Sequence, residues 1–167
     1  MPTCRQSQFP PLVDLHVNGL TIPKQPGLKP EVVNFSSAEL TLEQVRLATE
    51  ALVQAGTARF LATLVTGAPE TTIRNVHLLA KAMQEPWGEP IMGIHLEGPF
   101  FSLECKGAHP EQHIREQGDI ELFRQFFSAA QGKVVLTTVS PAIRDATSFI
   151  RQITDMGVLV SIGHHNA

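Results

Sequence analysis

Six side chains that could bind a cation or move a proton lie at the ends of predicted strands or in the loops after them. They are His16, Asn18, His95, Glu97, His109 and His164. Imidazole nitrogens with one carboxylate form the ligand set of a hydrolytic zinc or related divalent site. A lone histidine is more often a hydrogen-bonded interior residue than a ligand, but the position that these residues share favours a metal site.

Glu97 closes the most informative stretch, residues 91–100. Apolar residues occupy both odd and even positions of this stretch, so both faces of the strand would be apolar. This pattern predicts a parallel strand covered on both faces. Gly98 and Pro99 end the strand, because proline lacks the donor that a ladder needs. His95 and Glu97 are two residues apart and therefore share a face. Enzymes of the α/β class place their chemistry at such strand ends; the alternative is that Glu97 only caps or pairs locally.

Three further histidines have weaker claims to a role. His113 lies in a predicted loop, and His165 should face away from His164. His77 lies beside the apolar stripe of a predicted helix, where a surface or partly buried histidine is the simplest interpretation.

The elements that must position these residues alternate along the chain as strand–helix four times, followed by a fifth strand. A capping box of Thr41 with Gln44 and a cap at Asp119 predict two helix starts. Ser140-Pro141 predicts another, with proline at the first helical position. The segment 21–37 is rich in proline and glycine, which predicts a long irregular loop. The predicted strands are 12–19, 57–65, 91–97, 133–139 and 158–162, and the predicted helices are about 41–55, 70–84, 120–131 and 140–156.

This alternation predicts an α/β fold with a parallel sheet and right-handed crossovers. Two arrangements of the sheet fit this pattern: an open doubly wound sheet, or part of a (β/α)8 barrel with about five strands and four helices. No glycine-rich dinucleotide-binding or phosphate-binding motif follows any predicted strand, which argues against a doubly wound, nucleotide-binding fold. The unusually long loops follow the C-terminal ends of strands, which favours the incomplete barrel.

Composition excludes several classes of protein. The chain has 167 residues, 43% hydrophobic and 17% charged, with a net charge of −3 and no basic cluster, which argues against nucleic-acid binding. No apolar run approaches the roughly 20 residues that a membrane helix needs. Residues 1–11 lack the apolar core of a secretory signal. The two cysteines, Cys4 and Cys105, form neither a disulfide framework nor a metal-binding pattern. A soluble protein of a reducing compartment is expected.

Four segments resemble the N-acetylglucosamine-6-phosphate deacetylases, a family of the amidohydrolase superfamily. The similarity covers nearly the whole chain in the correct order, and the pairing of the second and third segments is specific. The segments are VDLHVNG at 13–19, GIHLEGPF at 93–100, KGAH at 106–109 and SIGHHNA at 161–167.

The resemblance implies metal-dependent hydrolysis of the acetamide of N-acetylglucosamine 6-phosphate, giving glucosamine 6-phosphate and acetate, in amino-sugar catabolism. It implies that Glu97 and His164 bind one divalent metal ion, zinc, and that Ala108 and His109 contact the sugar substrate. It further implies a phosphorylated amino sugar as the small-molecule partner, a cytoplasmic location and a homodimer at full length, without nucleic-acid or membrane partners.

The chain departs from the family pattern in two places. Members of the superfamily with two metals have His-x-His on the first strand, and other deacetylases of this family have Gln-x-Asn, whereas this chain has His16-Val17-Asn18. One metal is expected, and a second site that uses His16 stays open. His165 stands where a small hydroxyl residue is usual.

The resemblance also implies how much of the fold is present. The family has an eight-stranded barrel and a small β-sandwich formed by both termini. Residues 1–167 are therefore expected to be a partial barrel domain without the sandwich and without the last strands, which carry a metal-binding histidine and the aspartate base. No catalytic base is assigned within the chain, which is expected to be inactive alone. The alternatives are an amidohydrolase for another N-acyl substrate and a non-catalytic fragment.

Overall fold

The computed structural model describes residues 12–23 and 28–166, which contain seven strands and four helices. The strands are β1 (Leu12–Val17), β2 (Gly19–Ile22), β3 (Glu31–Asn34), β4 (Thr57–Val65), β5 (Ile91–Glu97), β6 (Val134–Val139) and β7 (Leu159–Ile162). The helices are α1 (Leu42–Gln54), α2 (Pro69–Ala82), α3 (Ile120–Ala129) and α4 (Ala146–Asp155).

Five of the strands form one parallel sheet in the order β1-β4-β5-β6-β7. Each parallel strand therefore lies beside the next parallel strand along the chain, with a helix in every connection. A doubly wound sheet would reverse its order at a switch point. The consecutive order confirms the predicted fold class, part of a (β/α)8 barrel with five parallel strands and four helices.

The helices cover one face of the sheet, as their apolar periodicity predicts. The α1 capping box is present, since the side chain of Thr41 accepts from the Gln44 N–H and the side chain of Gln44 accepts from the Thr41 N–H. Asp119 caps α3 by accepting from the Leu122 N–H. No helix in the two described ranges has the length and apolar composition needed to cross a bilayer. The buried core side chains include Phe60, Leu64, Ile94 and Leu96 from the sheet and Val45, Leu79, Phe123, Phe126 and Ile153 from the helices.

The segment 21–37 is not the irregular loop that its composition predicts. Strands β2 and β3 form an antiparallel hairpin with Gly19 opposite Asn34 and Ile22 opposite Glu31. Prolines and glycines fill only the connection, part of which lies outside the described residues, and the flanking residues still include enough β-branched and apolar side chains to pair. The first strand accordingly ends at Val17 rather than at residue 19.

Helix α4 begins at Ala146, not at Ser140-Pro141 as predicted. The Ser140 N–H donates to the Phe100 carbonyl, and the Arg144 N–H donates to the Glu116 carbonyl, each at 2.9 Å. These backbone groups bind the loop after β5 instead of starting a helix. Tertiary hydrogen bonds therefore override a local helix-start signal.

The carboxyl ends of the parallel strands lie at one level of the sheet. Val65 pairs with Glu97, Glu97 pairs with Thr138, and Thr138 pairs with Ser161. Because the strands are parallel, the loops that follow them meet above this row. The loop after β5 and the segment after β7 are thereby brought together.

The two outer strands of the sheet are poorly covered. Leu12, Val13 and Leu15 of β1 are 64%, 52% and 55% exposed, and Leu159 and Ile162 of β7 are 71% and 51% exposed. Within the part of the chain that the structure describes, exposed apolar side chains thus lie on the two strands that form the edges of the sheet.

Candidate metal and substrate site

Glu97 lies at the centre of the site, at the end of β5, with a side chain only 15% exposed. Its Oε1 atom lies 3.4 Å from His164 Nε2 and 3.7 Å from His109 Nε2. Its Oε2 atom lies 3.3 Å from His16 Nε2 and accepts a hydrogen bond from Asn18 Nδ2 at 3.4 Å. The carboxylate therefore has two sides, each facing a different pair of residues.

The Glu97 carboxylate is strongly favoured over its protonated form. The neighbouring His109 N–H lowers the pKa of Glu97 most, and burial opposes this effect. A proton on His164 Nε2, in the place that a cation would take, and the charge of His16 lower the pKa of Glu97 further, to about 2. Glu97 is therefore an anion at any ordinary pH, which is the form that binds a cation.

The surroundings of His164 give it the tautomer of a metal ligand. Its Nδ1 atom lies 2.9 Å from the carbonyl oxygen of Cys105, which can only accept, so Nδ1 carries the proton. In the neutral ring Nε2 is then an acceptor that faces the Glu97 carboxylate, a second acceptor. Two acceptors in contact are favourable only with a cation or a proton between them. A carbonyl that receives the other ring N–H is the usual support for a metal-binding histidine.

His109 has the opposite arrangement. Its Nδ1 atom accepts from the Thr66 backbone N–H at 3.3 Å, and the residue is only 7% exposed. In the neutral ring the proton is therefore on Nε2, the atom that points toward Glu97. His109 is thus a hydrogen-bond donor directed into the site, whereas His164 presents a lone pair to it.

His95 lies beneath the site and does not join it. Its Nδ1 and Nε2 atoms lie 3.2 Å and 2.8 Å from the hydroxyls of Thr63 on β4 and Thr138 on β6. Burial, followed by the charge of His16, lowers the pKa of His95 to about 4, so the ring is neutral. Both ring nitrogens are occupied by threonines, which leaves no lone pair for a metal.

The donor atoms of Glu97, His109 and His164 all lie within 4.8 Å of one another. One carboxylate oxygen and imidazole nitrogens fit a divalent ion such as zinc. The tautomers divide this set: Glu97 and His164 offer free acceptors, and His109 offers a donor. The residues present therefore fit a metal ion held by Glu97 and His164.

The other predicted site residues take different positions. Ala108 is exposed in the turn that precedes His109. His16 is half-exposed on the Oε2 side of Glu97, away from His109 and His164. His77 is exposed on α2, as predicted.

Three residues that contribute to the site were not predicted from the sequence. Cys105 acts through its backbone carbonyl, so its side-chain type carries no signal. Thr66 acts through its backbone N–H on His109 and through its hydroxyl, which donates to the Glu97 carbonyl at 3.2 Å. Phe101 packs against both His109 and His164, with ring centroids 4.9 Å and 3.9 Å away. Its position two residues after Pro99, in the loop that follows Glu97, is the one signal that could have indicated it.

Comparisons with known proteins point to one family. No protein-family model matches the chain. Human N-acetylglucosamine-6-phosphate deacetylase is 32% identical over 158 residues, which are 93% of this chain and 36% of the human protein. The crystal structure of the deacetylase from Mycobacterium smegmatis matches with a TM-score of 0.77 and 33% identity, over 95% of this chain and 41% of that one.

A mutant of the same mycobacterial enzyme, in complex with N-acetyl-D-glucosamine-6-phosphate, matches with a TM-score of 0.78 and 32% identity. This match covers 95% of the present chain and 37% of the mycobacterial chain. The chain is thus similar, by sequence and by fold, to N-acetylglucosamine-6-phosphate deacetylases, and it spans somewhat more than one third of the length of these relatives.

Proposed function

We propose that this protein contributes to the metal-dependent hydrolysis of the acetamide of N-acetylglucosamine 6-phosphate, which gives glucosamine 6-phosphate and acetate. The observation that carries the proposal is the contact of 3.4 Å between the ionised Glu97 carboxylate and the Nε2 acceptor of His164. This pair lies at the carboxyl ends of the barrel strands, where such folds place their chemistry. Similarity to deacetylases over nearly the whole chain supports the choice of reaction.

The chemistry divides among the residues of the chain. Glu97 and His164 hold the divalent ion, which when bound would polarise the amide carbonyl and lower the pKa of its water. His109 keeps its Nε2–H directed into the same space, where it would donate to an oxygen of the substrate. The Thr66 N–H holds His109 in that tautomer, and Ala108 lies beside it in the substrate-binding loop. We assign no general base among these residues.

The remaining parts of the proposal follow from the resemblance. We propose one divalent ion per site, zinc, and a phosphorylated amino sugar as substrate. The complex of a related enzyme with N-acetyl-D-glucosamine-6-phosphate supports this substrate class. We also propose a cytoplasmic location and a homodimer for the full-length protein.

Acetate release tests the proposed function. The protein expressed from its natural gene should release acetate from N-acetylglucosamine 6-phosphate, should lose this activity to a chelator and should regain it with zinc. Glu97→Gln should lose bound zinc and activity together, because it replaces an anionic ligand with a neutral one. The matched control is Glu104→Gln, which changes an exposed carboxylate in the next loop.

Two results would contradict the proposal. One is wild-type zinc content and activity in the Glu97→Gln variant. The other is turnover of a different N-acyl substrate in strong preference to N-acetylglucosamine 6-phosphate, which would favour the alternative of another amidohydrolase.

A further inference from the structure

Phe101 is fully buried but lies outside the main hydrophobic core. Its side chain is 0% exposed, yet the apolar cluster between sheet and helices includes its neighbour Phe100 and not Phe101. Phe100 packs against Phe149 of α4 with ring centroids 4.4 Å apart. Two consecutive phenylalanines therefore serve different parts of the molecule.

The two histidines of the site both contact the ring of Phe101. Its ring is stacked on His164, with centroids 3.9 Å apart and an angle of 14° between the planes. It meets His109 edge-to-face at 4.9 Å and 87°. His109 and His164 also meet edge-to-face, at 4.9 Å and 86°. The three rings thus form a single packed group on the Oε1 side of Glu97.

The stacking of Phe101 on His164 restricts a tilt of the His164 ring that its hydrogen bond does not prevent. The Cys105 carbonyl holds one atom of the His164 ring, and a ring held at one atom can still tilt about that bond. His164 also has a left-handed backbone, with φ of 54°, a conformation that residues with a Cβ rarely adopt. Contact over the whole face of the ring fixes its plane, and so fixes the direction of the Nε2 lone pair.

We propose that Phe101 is a positioning residue that sets the planes of His164 and His109. Through His164 it directs the Nε2 lone pair to the ion position beside Glu97, and through His109 it directs the Nε2–H into the substrate space. The inference rests on the proposed function, since it assigns that ion position to Glu97 and His164. Phe101 itself contacts neither metal nor substrate in this role.

Cobalt binding tests the effect on the metal position. Phe101→Leu keeps an apolar side chain of similar bulk and removes the flat ring, while Phe100→Leu makes the same change in the core. Supporting groups of metal-binding histidines typically contribute 10- to 100-fold to metal affinity, so Phe101→Leu should weaken Co²⁺ binding about 10- to 100-fold and alter the visible spectrum of the bound ion. Phe100→Leu should lower stability but keep the wild-type affinity and spectrum.

A second measurement needs no metal. The face of Phe101 should shift the ring C–H resonances of His164 upfield in the NMR spectrum of the metal-free protein. Phe101→Leu should abolish this shift, and Phe100→Leu should retain it. If Phe101→Leu does not fold, Phe101→Met removes the ring with a more adaptable side chain and is judged by the same spectrum.

The proposal is overturned by a folded Phe101→Leu protein with wild-type Co²⁺ affinity and spectrum, or by His164 resonances that do not respond to loss of the ring. Failure of the proposed function gives a different result. In that case the wild-type protein and Glu97→Gln would bind Co²⁺ equally, and the NMR comparison would still decide whether Phe101 sets the plane of His164.

Discussion

At the scale of single residues, the site depends on backbone groups that select the proton positions of its histidines. Two imidazoles at similar distances from Glu97 Oε1 present opposite groups to it, because the Nδ1–H of His164 donates to a carbonyl and the Nδ1 of His109 accepts from an N–H. Residue types alone cannot distinguish these cases, since both are histidines near a carboxylate. The tautomers support the ligand role predicted for His164 and the substrate role predicted for His109, which stay predictions.

The opposite tautomers of His109 and His164 predict different effects when each histidine is replaced. His109→Ala should lower the rate of acetate release, on the order of 100-fold if its Nε2–H stabilises the reacting carbonyl, while zinc content stays at the wild-type level. His109→Gln retains an N–H donor and should lose less. Elemental analysis of the purified variants beside their rates checks this, and loss of zinc from His109→Ala would show that His109 is a ligand instead.

At the scale of elements, strands and helices with strong periodicity could be predicted, and two local features could not. Strands β4 and β5 and the cap of α1 follow the sequence pattern because propensity, periodicity and packing agree there. The hairpin of β2 and β3 was missed because its prolines and glycines suggested a loop, although only the connection uses them. The start of α4 was missed because Ser140 and Arg144 donate to the β5 loop, a tertiary contact with no local signal.

The turn between β5 and its loop provides a prediction at this scale. Gly98 has φ of +91°, and a Cβ added there would lie 2.2 Å from Thr66 Oγ1 and 2.9 Å from the Phe101 ring. Gly98→Ala should therefore destabilise the protein by about 2 kcal/mol or more through backbone strain and overpacking. Gly67→Ala is the matched control at the end of β4, since its added Cβ would meet nothing within 4 Å.

Urea unfolding of both variants measures the difference in free energy of unfolding. Gly98→Ala should also disturb the Phe101 ring, and so the His164 resonances, whereas Gly67→Ala should leave them unchanged. Equal stability of the two variants would contradict the conclusion that this turn requires glycine.

At the scale of the whole molecule, we expect the edges of the sheet to determine whether the chain associates in solution. Among residues 12–23 and 28–166, strands β1 and β7 each pair with one neighbouring strand of the sheet, and both carry apolar side chains that are more than half exposed. At about 25 cal/mol per Å², several hundred Å² of exposed apolar surface corresponds to several kcal/mol, a large share of the roughly 5–15 kcal/mol that stabilises a domain. Edge strands of this kind are also templates for pairing with another chain.

We therefore predict that residues 1–167 expressed alone associate or aggregate, or adopt a molten state. Light scattering should give a mass above that of one chain, increasing with protein concentration. Leu15→Lys with Leu159→Lys should reduce association, because charged side chains on edge strands oppose edge-to-edge pairing. A monodisperse wild-type monomer that unfolds cooperatively would contradict this prediction.

Anomalous X-ray diffraction at the zinc absorption edge would show whether Glu97 and His164 hold a divalent ion. Crystals of the protein grown with zinc should show one strong anomalous peak between the two side chains, about 2.0–2.2 Å from a carboxylate oxygen of Glu97 and about 2.0–2.1 Å from His164 Nε2. His109 should lie outside bonding distance of the peak, with its Nε2–H facing the substrate space. Fully occupied zinc elsewhere in the crystal, with no peak between Glu97 and His164, would contradict the account.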